Sequence, residues 1–68
     1  MAVQTKIAEY LKEKGIKKKF VADKAGIKNY RLSHILHNQS EMRADEFERI
    51  CKALEVTPEK FFEWQPEK

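Results

Sequence analysis

The chain has little of what disulfide-stapled, membrane-spanning or β-rich proteins need. It has one cysteine, Cys51, so no internal disulfide can form, and a lone thiol fits a reducing compartment. Glycine and proline occur twice each. No alternating β-branched run appears, so the pattern gives no strand. No apolar stretch approaches the roughly 20 residues that span a bilayer, and the N-terminal residues do not resemble a secretory signal. These absences predict a cytoplasmic protein with no membrane partner. Length adds a limit: 68 residues make one domain, 1–68, too small to enclose a substrate. No enzyme, pocket or small-molecule substrate is expected.

What is present is charge and helical periodicity. Charged residues make up 37% of the chain and hydrophobic ones 41%, enough for a small helical bundle. The net charge of +3 is unevenly spread. Residues 1–43 carry ten Lys/Arg against four acids, +6; residues 44–68 carry four against seven, −3. Between Lys24 and Ser40 there is no acid at all. A basic, acid-free segment suits a phosphate-facing surface; the commoner meaning of a lysine run is a solvated face.

That segment coincides with the most informative pattern in the chain, Val21 to Ile35. Val21 and Ala25 are four apart and share a helix face. Ala22 beside them is small enough to let a second helix approach. Gly26 can take the left-handed conformation that ends a helix. Leu32, Ile35 and Leu36 form an i, i+3, i+4 stripe on a following helix. Two helices joined so tightly cross steeply and leave one face exposed. This is a helix-turn-helix, whose second helix fits a DNA major groove.

Five helices and no strand are expected. Helix 1 covers about Gln4 to Lys14, with Ile7, Tyr10 and Leu11 inward, and Gly15 ends it. Helix 2 covers about Lys17 to Ala25. Helix 3 starts near Lys28 or Asn29 and ends near His37, with Asn38 as its left-handed terminator. Helix 4 covers about Ala44 to Leu54, with Asp45 and Glu46 in the first turn, as the helix dipole favours. Its buried stripe is Phe47, Ile50, Cys51 and Leu54. Thr57-Pro58-Glu59 starts a short helix 5 that ends near Trp64.

With these residues in place, the chain resembles the phage-repressor and Cro type of helix-turn-helix regulators, the Xre-like family. Val21-Ala22-Asp23-Lys24-Ala25-Gly26-Ile27 looks like that family's second helix and turn. Ile50 to Phe62 looks like its fourth helix, connector and fifth helix, and the similarity runs from about Ile7 to Phe62. It implies an all-α, compact five-helix repressor-like domain with the helix-turn-helix at helices 2 and 3. The chain departs from the family at several positions. Lys18 stands where glutamine is usual, Lys17 and Lys28 where Ser or Thr caps are usual, and Asn38 where glycine is usual. An arginine–glutamate pair common between helices 1 and 3 falls on Leu11 and Leu36. A buried ion pair can be replaced by apolar residues without net loss, whereas one changed partner strands a charge. Leu11 and Leu36 are therefore expected to be buried together.

The resemblance implies base contacts from Asn29, Tyr30 and His34, with Ser33 as an addition. The chemistry suits: an amide pairs with adenine, and hydroxyls or rings reach base edges and thymine methyls. The alternatives are an N-cap role for Asn29 and packing beside helix 2 for Tyr30. Candidates for the DNA backbone are Lys17, Lys18, Lys19, Lys24, Lys28, Arg31, His37 and Arg43, about half of them plain solvated side chains. Lys18 would stand at the N-terminus of helix 2, whose free amides favour phosphate. Phe61, Phe62 and Trp64 are the candidate dimer contact, one phenylalanine closing the core; Phe20 has no assigned place. His34, His37 and Cys51 fall short of the four ligands of a structural zinc site, so no metal or cofactor is expected.

These residues predict a sequence-specific double-stranded DNA-binding transcriptional regulator. Its expected mode is repression, as a homodimer at least on DNA, on a palindromic operator. The alternative is a protein-interaction module, an antitoxin or antirepressor, that keeps the fold. RNA binding ranks third.

Overall fold

The computed structural model describes residues 2–63, the last by its backbone alone. Five helices follow one another: α1 Val3–Lys14, α2 Lys18–Ala25, α3 Asn29–Leu36, α4 Ala44–Leu54 and α5 Glu59–Glu63. The described part is all-α, as the sequence predicts. Helices 2 and 3 are each one residue shorter than expected, and Trp64 lies outside the described residues.

The first four helices close in one way: a residue in the left-handed region turns the chain out. Gly15 (φ 68°) and Gly26 (φ 70°) do so without a side-chain penalty. Asn38 (φ 60°) fills the role after α3, as expected, and Glu55 (φ 58°) does so after α4. The next amide then bonds back into the last turn: Ile16 to Leu11 O, Ile27 to Ala22 O, Gln39 to His34 O and Val56 to Cys51 O. These bonds satisfy carbonyls that a helix end leaves free. Ile16 and Val56 also pack against the core, so the turns are pinned from inside.

The core is built from one stripe per helix. Ile7, Val21, Leu32, Ile35, Ile50 and Phe61 are fully buried, each contributing roughly 1.5–3 kcal/mol through burial. Ala22, fully buried as well, brings α2 close to its neighbours. α2 packs on α3 and α4; α1 packs on α3 and α5. Leu11 and Leu36 are both buried in this core, as the sequence predicts for the apolar replacement of an ion pair. Phe61 is held edge-on by Tyr10, ring centroids 5.4 Å apart at 87°, which fixes α5 to α1.

The α4 stripe faces the core as expected: Ile50 and Cys51 are buried, and Phe47 and Leu54 are half-buried against it. Ala53 and Glu46 are buried as well, and Glu46, one of the expected first-turn acids, meets Arg31 there.

Candidate nucleic-acid interface

The side chains of α3 divide cleanly. Leu32, Ile35 and Leu36 are buried. Asn29, Tyr30, His34 and, past the helix end, His37 are exposed, with Ser33 half-exposed between them. Helical geometry puts these five on one side. No acid lies in α3. Tyr30 is 64% exposed, so it does not pack beside α2. It rests edge-on against His34, with centroids 6.1 Å apart. Asn29 is the first helical residue and Lys28 takes the cap position, without a side-chain cap bond. The N-cap alternative for Asn29 is thereby set aside, and its amide is left on the surface.

The N-terminus of α2 lies beside the C-terminal end of this face. Lys18 Nζ approaches His37 Nε2 at 3.4 Å, and Ser33 Oγ lies 3.5 Å from His37 Nδ1. Lys17 and Lys28 are exposed with no ion pair among the described residues. Lys19 pairs loosely with Asp23 at 3.8 Å, both well exposed. Arg43 pairs with Asp45 at 3.6 Å, again in solvent. Such pairs are weak and leave the cations open to an anion. Lys24 lies 5.5 Å from the ring centre of Phe20, which gives that half-exposed phenylalanine a cationic neighbour on the outside of α2.

Arg31 is not one of these open cations. Its Nε and Nη2 donate to the two carboxylate oxygens of Glu46, each at 2.9 Å, and Nη2 also donates to Glu41 O at 2.9 Å. Arg31, expected at the DNA backbone, is engaged within the chain by these bonds, while its side chain stays 30% exposed. Glu46 Oε1 additionally accepts the backbone N–H of Arg43 at 2.9 Å. The bonds from Arg31, ahead of the opposing effect of burial, hold the Glu46 carboxyl below its ordinary range, and the same bonds raise Arg31. The sequence signal for this clamp is thin: the one Lys or Arg of α3, and an acid at the third position of α4.

Phe61 is fully buried between Tyr10 and Phe47. It has no surface to offer a second subunit, so its place in the expected dimer contact is corrected; it is the core phenylalanine. Phe62 is 58% exposed and lies edge-on to Phe47 at 5.9 Å. Cys51 is buried, and burial pushes its thiol up, away from the thiolate that nucleophilic or metal chemistry needs. Among the described residues no group of three His, Cys, Asp or Glu is placed to hold a metal, and no helix is long and apolar enough to cross a membrane. An open surface groove of about 590 Å³ runs between α1 and the end of α3, with Leu11, Ile16 and Leu36 in its wall and Lys17, Lys18 and His37 along its edge.

A polar, acid-free helix face set across a second helix by a tight turn is a helix-turn-helix, and it puts the chain among DNA-binding domains of that class. The chain belongs to the Cro/C1-type HTH DNA-binding domain family, whose model it matches over residues 6–67. Neither the curated proteins nor the solved structures compared with it give a match. It is a DNA-binding regulator by family, and double-stranded DNA is its partner class.

Proposed function

We propose that the protein is a sequence-specific transcriptional repressor that binds a palindromic operator as two copies. α3 lies in the major groove. Asn29, Tyr30 and His34 reach base edges, with Ser33 beside them. Lys17, Lys18, Lys19, Lys28, His37 and Arg43 line the DNA backbone. The observation that carries this reading is the exposed face of α3, which combines an amide, a phenol and an imidazole with no acid. Those groups can bond to base edges, and the lysines around them attract phosphate. Bound across a promoter, the domain acts by excluding polymerase, in the cytoplasm and without a catalytic step, cofactor or small-molecule ligand.

Selection from random duplex DNA, followed by salt titration on the enriched sequence, tests the reading. A repressor of this kind enriches one palindrome and binds it more tightly than bulk DNA. Its half-sites lie about one helical turn, roughly 34 Å, apart. The other reading, a protein-interaction module such as an antitoxin or antirepressor, draws on the half-exposed Phe20 on the outer side of α2. It predicts no enriched sequence and loss of a protein partner when Phe20 is removed.

A further inference from the structure

Arg31 stands next to Tyr30 and three residues before His34, on the helix proposed to read bases. Its guanidinium is turned away from that task and bound on two sides. Glu46, in the first turn of α4, takes both arms of the fork at 2.9 Å. The carbonyl of Glu41, in the loop between α3 and α4, takes a third bond at 2.9 Å. Glu46 is buried, with its side chain 8% exposed, and also holds the Arg43 amide. Four bonds therefore tie three pieces of chain together: α3, the loop after it and the start of α4.

The tie matters because of what else holds α3. Its backbone packs on α1 and α2, whereas α4 packs chiefly on α2. At its far end Gln4 of α1 donates to Ile35 O and Ser40 O, both at 2.8 Å. The α3–α4 loop is thus pinned near Ser40 by α1 and near Glu41 by Arg31. A planar fork bonded to both oxygens of one carboxylate fixes direction as well as distance. A rotation of α3 about its own axis would have to break that geometry.

We propose that Glu46 is a positioning residue for DNA recognition: through Arg31 it sets the rotation of α3, and with it where Tyr30 and His34 meet the bases. The role rests on the reading of α3 as the base-reading helix. It is separate from general stability, because it concerns discrimination between sequences. It is also separate from a phosphate contact by Arg31, which the salt dependence of the variants reports.

The test compares wild type, Glu46→Gln, Arg31→Lys and the double variant. Site selection with wild type comes first. Each protein is then titrated against the enriched duplex and a scrambled one over a range of salt, well below its melting temperature. Glu46→Gln keeps the shape and removes the charge; Arg31→Lys keeps the charge and removes the fork. The expected result is a loss of about tenfold in the ratio of specific to non-specific affinity in each single variant, with the salt slope unchanged. The double variant should lose no more than either single, because both act on one geometry. Folding is followed separately by thermal unfolding, and Arg31→Lys carries the test if Glu46→Gln does not fold. An unchanged ratio in a folded variant overturns the positioning role and leaves a structural clamp. Tighter non-specific binding by Glu46→Gln overturns it too, since a freed Arg31 would then be reaching phosphate. A wild type that enriches no sequence overturns the DNA reading itself, and the positioning role with it.

Discussion

Lys18 and His37 meet at 3.4 Å, Nζ to Nε2, and so join the first turn of α2 to the residue just past α3. The contact lies in solvent, at the junction of the two elements. Lys18 also stands in the first turn of α2, where helix amides lack intrahelical partners, and we propose that its charge and the helix end serve one phosphate.

From that placement we predict that Lys18→Ala weakens specific and scrambled duplexes to a similar degree. A phosphate contact carries no sequence information. Its loss should flatten the plot of log K against log salt by about one unit per protomer. Fluorescence anisotropy over a salt series measures both. A variant that lost only specific binding would place Lys18 at a base instead.

Leu11 and Leu36 stand in one core, 3% and 5% exposed. Replacing either by alanine should cost about 2–4 kcal/mol, the usual range for a core leucine. Urea unfolding measures it, with the slope unchanged. A loss below about 0.5 kcal/mol at both positions would show that the space between α1 and α3 is not filled as described.

Glu46 makes stability depend on pH. Its folded carboxyl is held below the ordinary value, first by the hydrogen bonds from Arg31. The unfolded chain therefore takes up the proton more readily. The contribution is complete above the ordinary carboxylate range and disappears as pH falls through it to the lower, folded value. Thermal unfolding from about pH 6 downward through the ordinary carboxylate range enters that window. Wild type should lose more melting temperature across it than Glu46→Gln, which starts lower and falls less. Parallel curves would remove Glu46 as a source of the acid limb.

Much of this fold was legible before any coordinates. Gly15, Gly26 and Asn38 are residue types that tolerate the left-handed turn, and each sits where one is made. Periodicity placed Ile7, Leu11, Leu32 and Ile50 inside. Glu55 is silent, because glutamate carries no signal for a left-handed residue; the turn it makes places Val56 against the core. The Arg31–Glu46 clamp was hidden for a different reason. Local rules give an acid in the first turn of a helix and an arginine on a polar helix two separate explanations, and only the fold brings them to 2.9 Å. Phe61 and Phe62 are adjacent and chemically identical, so which one turns inward depends on where α1 presents Tyr10.

Of the three expected contact aromatics, Phe62 is exposed, Phe61 is buried and Trp64 lies outside the described residues. We predict that Phe62→Ser leaves the fold intact, since the ring is 58% exposed. Paired occupation of the two half-sites should then require several-fold more protein. Footprinting across a concentration series shows this. A wild type that protects one asymmetric half-site at saturation would contradict the two-copy arrangement.

Truncation of the α3 face tests base reading most directly. Tyr30→Ala and His34→Ala are each titrated against the selected operator and against every single-base variant of one half-site. Base reading by these side chains predicts that discrimination falls by about 1–3 kcal/mol at one or two base pairs for each residue. Affinity for scrambled DNA should stay near wild type. If both side chains can be removed with the full pattern of base preference intact, α3 does not read the operator through this face.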